Sequence, residues 1–169
     1  MRAVDTAVRR DLPARPASGL DPKGVGAISR ALTTLLADMF ALYVKTKNFH
    51  WHISGPHFRD YHLLLDEQSA QILGTTDPIA ERVRKIGGTT LRSIGHIARL
   101  QRVPDSGDAT IGAREMLAEL LAGNQTLVAN LRENHALCDE HGDVASASLI
   151  ENWIDEAEQR VWFLAETTK

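Results

Sequence analysis

The sequence predicts an all-α protein: a four-helix bundle with a short crossover helix between helices 2 and 3. Three observations support this fold class. Four long segments keep the 3.6-residue spacing of apolar side chains that an amphipathic helix requires. Aromatic residues make up only 5% of the chain, which disfavours an all-β fold. About 20 residues separate the second long segment from the third, enough for a connection that runs along a bundle.

The first helix is predicted from residue 22 to about His52. Asp21 followed by Pro22 is a typical helix entry, because the carboxylate can accept from free amides of the first turn and proline suits the first helical position. Residues 54–56, Ser-Gly-Pro, then interrupt the helix. Its apolar side chains recur at helical spacing: Ile28, Leu32, Leu35, Leu36, Met39 and Leu42.

The second helix is predicted over residues 58–86 and carries one irregularity, the sequence Gly-Thr-Thr-Asp-Pro at residues 74–78. Considered locally, Asp77 and Pro78 could be the N-cap and first residue of a new helix. The apolar face nevertheless resumes in phase from Ile79 onward. We therefore expect one continuous helix with a kink.

The remaining elements follow in order. A short crossover helix is predicted within residues 91–100, a third long helix around residues 116–131 and a last helix around residues 149–164. Together they define one ferritin-like bundle domain, residues 23–169. Residues 1–22 show no apolar period and are predicted to be a flexible N-terminal tail.

Composition narrows the function classes. The chain has 169 residues and a formal net charge of −3, so its body is not a polycation that coats nucleic acid by bulk charge. Asp38 cuts the most apolar stretch, residues 35–44, and no membrane span is expected. The lone Cys138 cannot form an internal disulfide, which favours a cytoplasmic location; nucleoid association is left open. Serine-hydrolase, zinc-protease and phosphate-loop motifs are absent from the sequence.

Histidines and carboxylates cluster between residues 45 and 82. On an ideal helix, with His62 at zero, Asp66 falls at about 40°, Asp77 at about 60° and Glu81 at about 100°, so the four share one face. His50 at the end of the preceding helix could add a second imidazole. Imidazole and carboxylate together suit iron, zinc or manganese.

The spacing along the helix prevents one chain from closing a metal site with both pairs. Asp77 lies roughly 16 Å along the axis from Asp66, whereas a metal–ligand bond is about 2 Å long. An antiparallel two-fold partner solves the problem, because it brings the His62 end of one helix to the Glu81 end of its copy. We therefore expect an intersubunit site of His50, His62 and Asp66 from one chain with Asp77 and Glu81 from another. The alternative is a solvated charged face with two i,i+4 pairs.

Long motifs resemble one family. KNFHWHISGPHFRDYHLLLDEQ, DPIAERVRKIGGTTLRSIGHI and ENWIDEAEQRVWFL are similar to the Dps family, the mini-ferritins also called DNA-binding proteins from starved cells. The resemblance extends over about residues 22–166. It implies a ferritin-like shell of twelve subunits that oxidises Fe(II), usually with hydrogen peroxide, and stores ferric oxide inside.

The resemblance also implies residue roles. The family's ferroxidase ligands match His50, His62, Asp66, Asp77 and Glu81, across a two-fold interface. Acidic residues near the start of the last helix would line iron pores, with Asp143 the best-placed candidate and Glu140 and Glu151 weaker ones. The alternative for each is an acid that stabilises a helix N-terminus. Trp51 could be a redox-active ring beside bound iron, or simply interface packing.

DNA binding is the main alternative function. Residues 1–23 carry five basic and three acidic side chains. Mobile arginines could tether DNA phosphates, an effect that many tails on one shell would multiply, or the segment could be a plain solubilising tail. The family's tail is usually lysine-rich, whereas this one contains arginines and is partly acidic. A zinc or manganese store without oxidation is a further alternative.

Overall fold

A computed structural model describes residues 18–169, and within that range the chain folds into five α-helices without a strand. Residues 1–17 of the predicted tail therefore lie outside the described residues. The helices are α1 (Pro22–His52), α2 (Phe58–Lys85), α3 (Ile94–Leu100), α4 (Ala113–Glu140) and α5 (Val144–Thr167). The predicted all-α class is confirmed, with a single short helix between the second and third long ones.

The first helix begins and ends where the sequence predicts. The Asp21 side chain accepts from the Gly24 amide at 2.6 Å, and Pro22 occupies the first turn. By length and composition α1 could span a membrane, but 56% of its most apolar window is buried inside the bundle. Its apolar stripe is therefore part of the protein core.

The second helix is continuous through Pro78, as predicted, and ends at Lys85. Proline has no amide hydrogen, so the helix lacks one i→i−4 bond at this point. In the turn before Pro78, two threonine hydroxyls donate to backbone carbonyls. Thr75 bonds the Gln71 carbonyl at 3.0 Å, and Thr76 bonds the Leu73 carbonyl at 2.7 Å.

Contacts at the two ends of the bundle fix its topology. Arg82, near the end of α2, contacts Ser146 at the start of α5, so these helices are antiparallel. At the opposite end, Arg114 of α4 donates to the Thr168 carbonyl. The chain between α2 and α4 therefore runs the length of the bundle, which is the ferritin-like crossover.

An ion pair between the buried Asp38 and the partly exposed Arg102 holds the crossover on α1. Asp38 is only 3% exposed, and it accepts from the Arg102 amide at 2.7 Å and from the Arg102 guanidinium at 2.6 Å. The core between the four long helices is aliphatic. Its fully buried members include Ile28, Leu32, Leu35, Met39, Leu65, Ile72, Ile79, Leu120, Leu131, Ile150 and Leu164.

Candidate metal centre

Two histidines meet where the end of α1 packs against the start of α2. The rings of His50 and His62 stack with centroids 3.8 Å apart and 21° between their planes. Nδ1 of each ring lies 2.9 Å from the backbone carbonyl of the other residue. A carbonyl only accepts, so each Nδ1 carries a proton, and in the neutral ring this tautomer leaves the lone pair on Nε2. The reciprocal hydrogen bonds fix the orientation of both rings, as such bonds do for histidines that bind a metal through the other nitrogen.

Asp66 completes this half of the site. Its Oδ1 lies 3.9 Å from Nε2 of His50 and 2.8 Å from Nζ of Lys47, one turn before His50 on α1. The hydrogen bond and charge of Lys47 hold the pKa of Asp66 below its ordinary value. The carboxylate is exposed, its lowered pKa favours the ionised form, and one of its two oxygens, Oδ1, is bonded to the Lys47 ammonium group.

The other two carboxylates lie farther along α2. Asp77 and Glu81 are exposed, and Glu81 Oε2 is 2.8 Å from Nζ of Lys85. This lysine holds the pKa of Glu81 below its ordinary value through a hydrogen bond and its charge. Within residues 18–169, no three histidine, cysteine or acidic side chains of one chain come together closely enough to hold a metal ion.

Exposed apolar side chains share the face that carries the candidate ligands. With His62 at zero, Phe58 falls at about −40°, Leu73 at about 20° and Leu63 at about 100°. Their exposed fractions are 45%, 41% and 44%. Phe58 also packs on His62, with ring centroids 5.0 Å apart. Large apolar side chains on a face of charged ligands are typical of a surface that another chain covers.

The structure leaves the roles of Trp51 and of the pore candidates untested. Trp51 is 64% exposed beside the histidine pair. Glu140 and Glu151 are exposed, and Glu151 lies 3.1 Å from Nε2 of His135. A pore needs several chains, so the pore assignment stays a prediction.

Asp143 has partners within one chain. It is 3% exposed, caps α5 by accepting from the Ser146 amide at 3.1 Å, and forms an ion pair with Arg82. Within the subunit, Asp143 is the N-cap of the last helix. This is the alternative role that the sequence left open.

Three neighbours of the site were not identified from the sequence: Lys47, Phe58 and Lys85. Lys85 lies four residues after Glu81, a spacing that could have revealed it. Lys47 reaches Asp66 only because α1 and α2 pair with His50 opposite His62. No sequence spacing encodes that contact.

The chain is similar to known proteins over most of its length. A ferritin-like domain model matches residues 29–169. A DNA protection during starvation protein from Brevibacillus brevis is 33% identical over 135 residues, 79% of this chain and 89% of that protein.

Solved structures show the same similarity. DpsC from Streptomyces coelicolor superposes with a TM-score of 0.88 at 28% identity, over 92% of this chain and 91% of that one. A Dps protein from Vibrio cholerae, described as a member of the ferritin-like diiron-carboxylate superfamily, gives a TM-score of 0.86 at 26% identity, over 94% and 99% of the two chains. The chain belongs to the ferritin-like family and, within it, to the Dps mini-ferritins.

Proposed function

We propose that this protein detoxifies and stores iron by oxidising Fe(II), preferentially with hydrogen peroxide, at sites shared between two subunits. One observation carries the proposal. The described part of a single chain holds two incomplete sets of ligands on one helix face, the set around His62 and the set around Glu81. Neither set can close a metal site alone, and a two-fold copy of α2 supplies to each the ligands it lacks.

The ligand types suit the reaction. Fe(II) binds to the free Nε2 atoms of His50 and His62, whose orientation the Nδ1 hydrogen bonds fix. Asp66, together with Asp77 and Glu81 of a second chain, supplies hard oxygen ligands that favour the ferric product. Glu81 is the best candidate to bridge two iron ions. For this reaction, iron is the substrate.

The overall reaction balances with peroxide as the oxidant. Two Fe(II) ions each give one electron to one hydrogen peroxide, the O–O bond breaks, and two protons complete two water molecules. The two Fe(III) ions then hydrolyse and nucleate mineral on carboxylates inside the shell. Because both iron and peroxide are consumed, less hydroxyl radical forms.

We further propose a hollow homo-oligomer of twelve subunits in the cytoplasm, with acidic pores that attract Fe(II) by their negative potential. Glu140 and Glu151 are exposed candidates for such pores. Trp51, exposed beside the histidine pair, is a candidate for electron transfer near bound iron.

Stopped-flow absorbance after mixing Fe(II) with peroxide tests the oxidase function. Wild type should give a rapid ferric signal, and His62→Ala and Glu81→Ala should each slow it strongly. Glu67→Ala is the matched control, because Glu67 is an exposed acid next to Asp66 that falls about 140° from His62 on the helix. Absence of a rapid signal in wild type would contradict the proposal and favour a zinc or manganese store.

DNA protection is the second candidate function. The name of the Brevibacillus relative supports it, as do the arginines of the N-terminal segment. A gel shift across a salt series, with and without residues 1–17, separates the two functions. Binding that weakens steeply with salt and disappears on truncation favours DNA as a ligand.

A further inference from the structure

The last turns of α2 carry Asp77 and Glu81 but are joined to the rest of the helix less firmly than a regular helix would be. Pro78 removes one backbone hydrogen bond between these turns and the preceding ones. The position of the two carboxylates therefore depends on contacts that α2 makes with other elements. Apolar burial supplies some of them, since Ile79 and Val83 are fully buried.

Arg82 supplies a directional contact from the same segment. Its Nε donates to Oγ of Ser146 at 2.8 Å, and its Nη2 donates to Oδ1 of Asp143. Asp143 is 3% exposed. Its other oxygen, Oδ2, accepts from the Ser146 hydroxyl at 2.5 Å. The planar guanidinium thus has two partners at the first turn of α5, which restricts its orientation far more than a single ion pair would.

Such a contact fixes the rotation of α2 about its own axis. Helix side chains reach about 5–6 Å from the axis, so a rotation of about 20° moves a ligand atom by about 2 Å. That displacement equals the length of a metal–ligand bond. Arg82 directly follows Glu81, so any rotation of this turn moves both residues together. The apolar contacts of this segment are non-directional, so the hydrogen bonds of Arg82 are what give it a directional constraint.

We propose that Arg82 is a positioning residue for the shared metal site, and that Asp143 and Ser146 hold it in place. This inference rests on the proposed function. It gives Asp143 a role that differs from lining a pore: the start of α5 sets where Glu81 points. A shift of the N-terminus of α5 would then also move the metal ligands of α2.

Cobalt(II) binding to the assembled wild-type protein tests the proposal without catalysis. The d–d absorption spectrum reports coordination geometry, and titration gives the dissociation constant. Arg82→Met should weaken cobalt binding about tenfold or more, the usual effect of losing a partner that orients a ligand, and should change the spectrum. Asp143→Asn, which keeps the side-chain volume, should shift both readouts in the same direction.

Arg132→Met is the matched control, since Arg132 forms an exposed ion pair with Glu158 between α4 and α5, away from α2. It should bind cobalt as wild type does. If Arg82→Met fails to assemble, Arg82→Lys is measured instead; it keeps the charge but lacks the planar guanidinium that bonds the two partners in fixed directions, and a weakened site supports the proposal. Wild-type binding by assembled Arg82 and Asp143 variants, with His62→Ala still defective, would overturn the positioning role alone. Wild type that binds no cobalt, or binds it equally well as His62→Ala, would overturn the proposed site itself.

Discussion

Nζ of Lys47 lies 2.8 Å from Oδ1 of Asp66, so an ammonium group sits on the carboxylate that should bind metal together with His50 and His62. Lys85 makes the same contact, also 2.8 Å, with Glu81 at the other end of the ligand face. Both halves of the candidate site therefore carry an internal counter-ion. A metal ion therefore competes with these lysines for the negative charge of the two carboxylates.

The first prediction concerns that competition. Lys47→Met should tighten cobalt or Fe(II) binding. The metal no longer competes with a lysine for Asp66, and the site loses one positive charge that repels the metal. The contact is exposed to solvent, so the gain should be modest, roughly two- to fivefold. Isothermal titration measures it, with Lys169→Met as a control that removes an exposed lysine paired with Glu166. Weaker binding by Lys47→Met would instead show that the lysine supports the site.

A second prediction concerns the close approach of the chain after α2 to α1. A Cβ at Gly88 would lie 2.0 Å from Oγ and 2.7 Å from Cβ of Ser29, a severe overlap. Gly88→Ala should lower the free energy of unfolding by about 1–3 kcal/mol. Gly26→Ala is the control, since a Cβ there meets only the end of the Arg30 side chain, at 3.4 Å, and should stabilise α1 by about 0.5–1 kcal/mol. Denaturation midpoints in urea compare the two; equal midpoints would contradict this packing.

The third prediction uses the only cysteine, Cys138. Burial raises the pKa of its thiol from 9.0 to about 12, with a further increase from the charge of Asp143. At pH 8 the native thiolate fraction should be roughly a thousandfold below that of the unfolded chain, and alkylation correspondingly slower.

The same shift makes stability depend on pH. Because the folded pKa is the higher one, the contribution of Cys138 to stability is complete below pH 9 and is lost as the pH rises from 9 towards 12. Rapid alkylation of native protein at pH 8 would refute it.

The long helices could be predicted from the sequence because their signals are local. Asp21 and Pro22 mark the start of α1, and the apolar period carries α2 correctly through Pro78. The angular placement of His62, Asp66, Asp77 and Glu81 also follows from the helix alone.

The missed contacts join residues far apart in the chain. Lys47 meets Asp66 through the pairing of α1 with α2, and Arg82 meets Asp143 across 61 positions. The sequence left Asp143 either as a pore acid or as an acid at a helix N-terminus, and only the packing of α5 against α2 shows that it is buried. Spacing rules apply within an element and cannot provide such pairs.

Mixing two inactive variants tests the central claim, that each metal site is divided between two chains. His62→Ala and Glu81→Ala each disable every site in a pure shell. At an interface between one variant of each kind, one of the two sites combines the intact His62 of one chain with the intact Glu81 of the other. Random co-assembly at equal amounts makes half of the interfaces mixed, so about one quarter of the sites should recover.

The control mixture combines His62→Ala with Asp66→Ala, which damage the same half of the site and should not complement each other. Both mixtures are unfolded, reassembled together and assayed for Fe(II) oxidation by peroxide. The shared-site account predicts about a quarter of wild-type activity in the first mixture and background in the second. Background activity in both mixtures, with mixed shells verified by mass spectrometry, would contradict it.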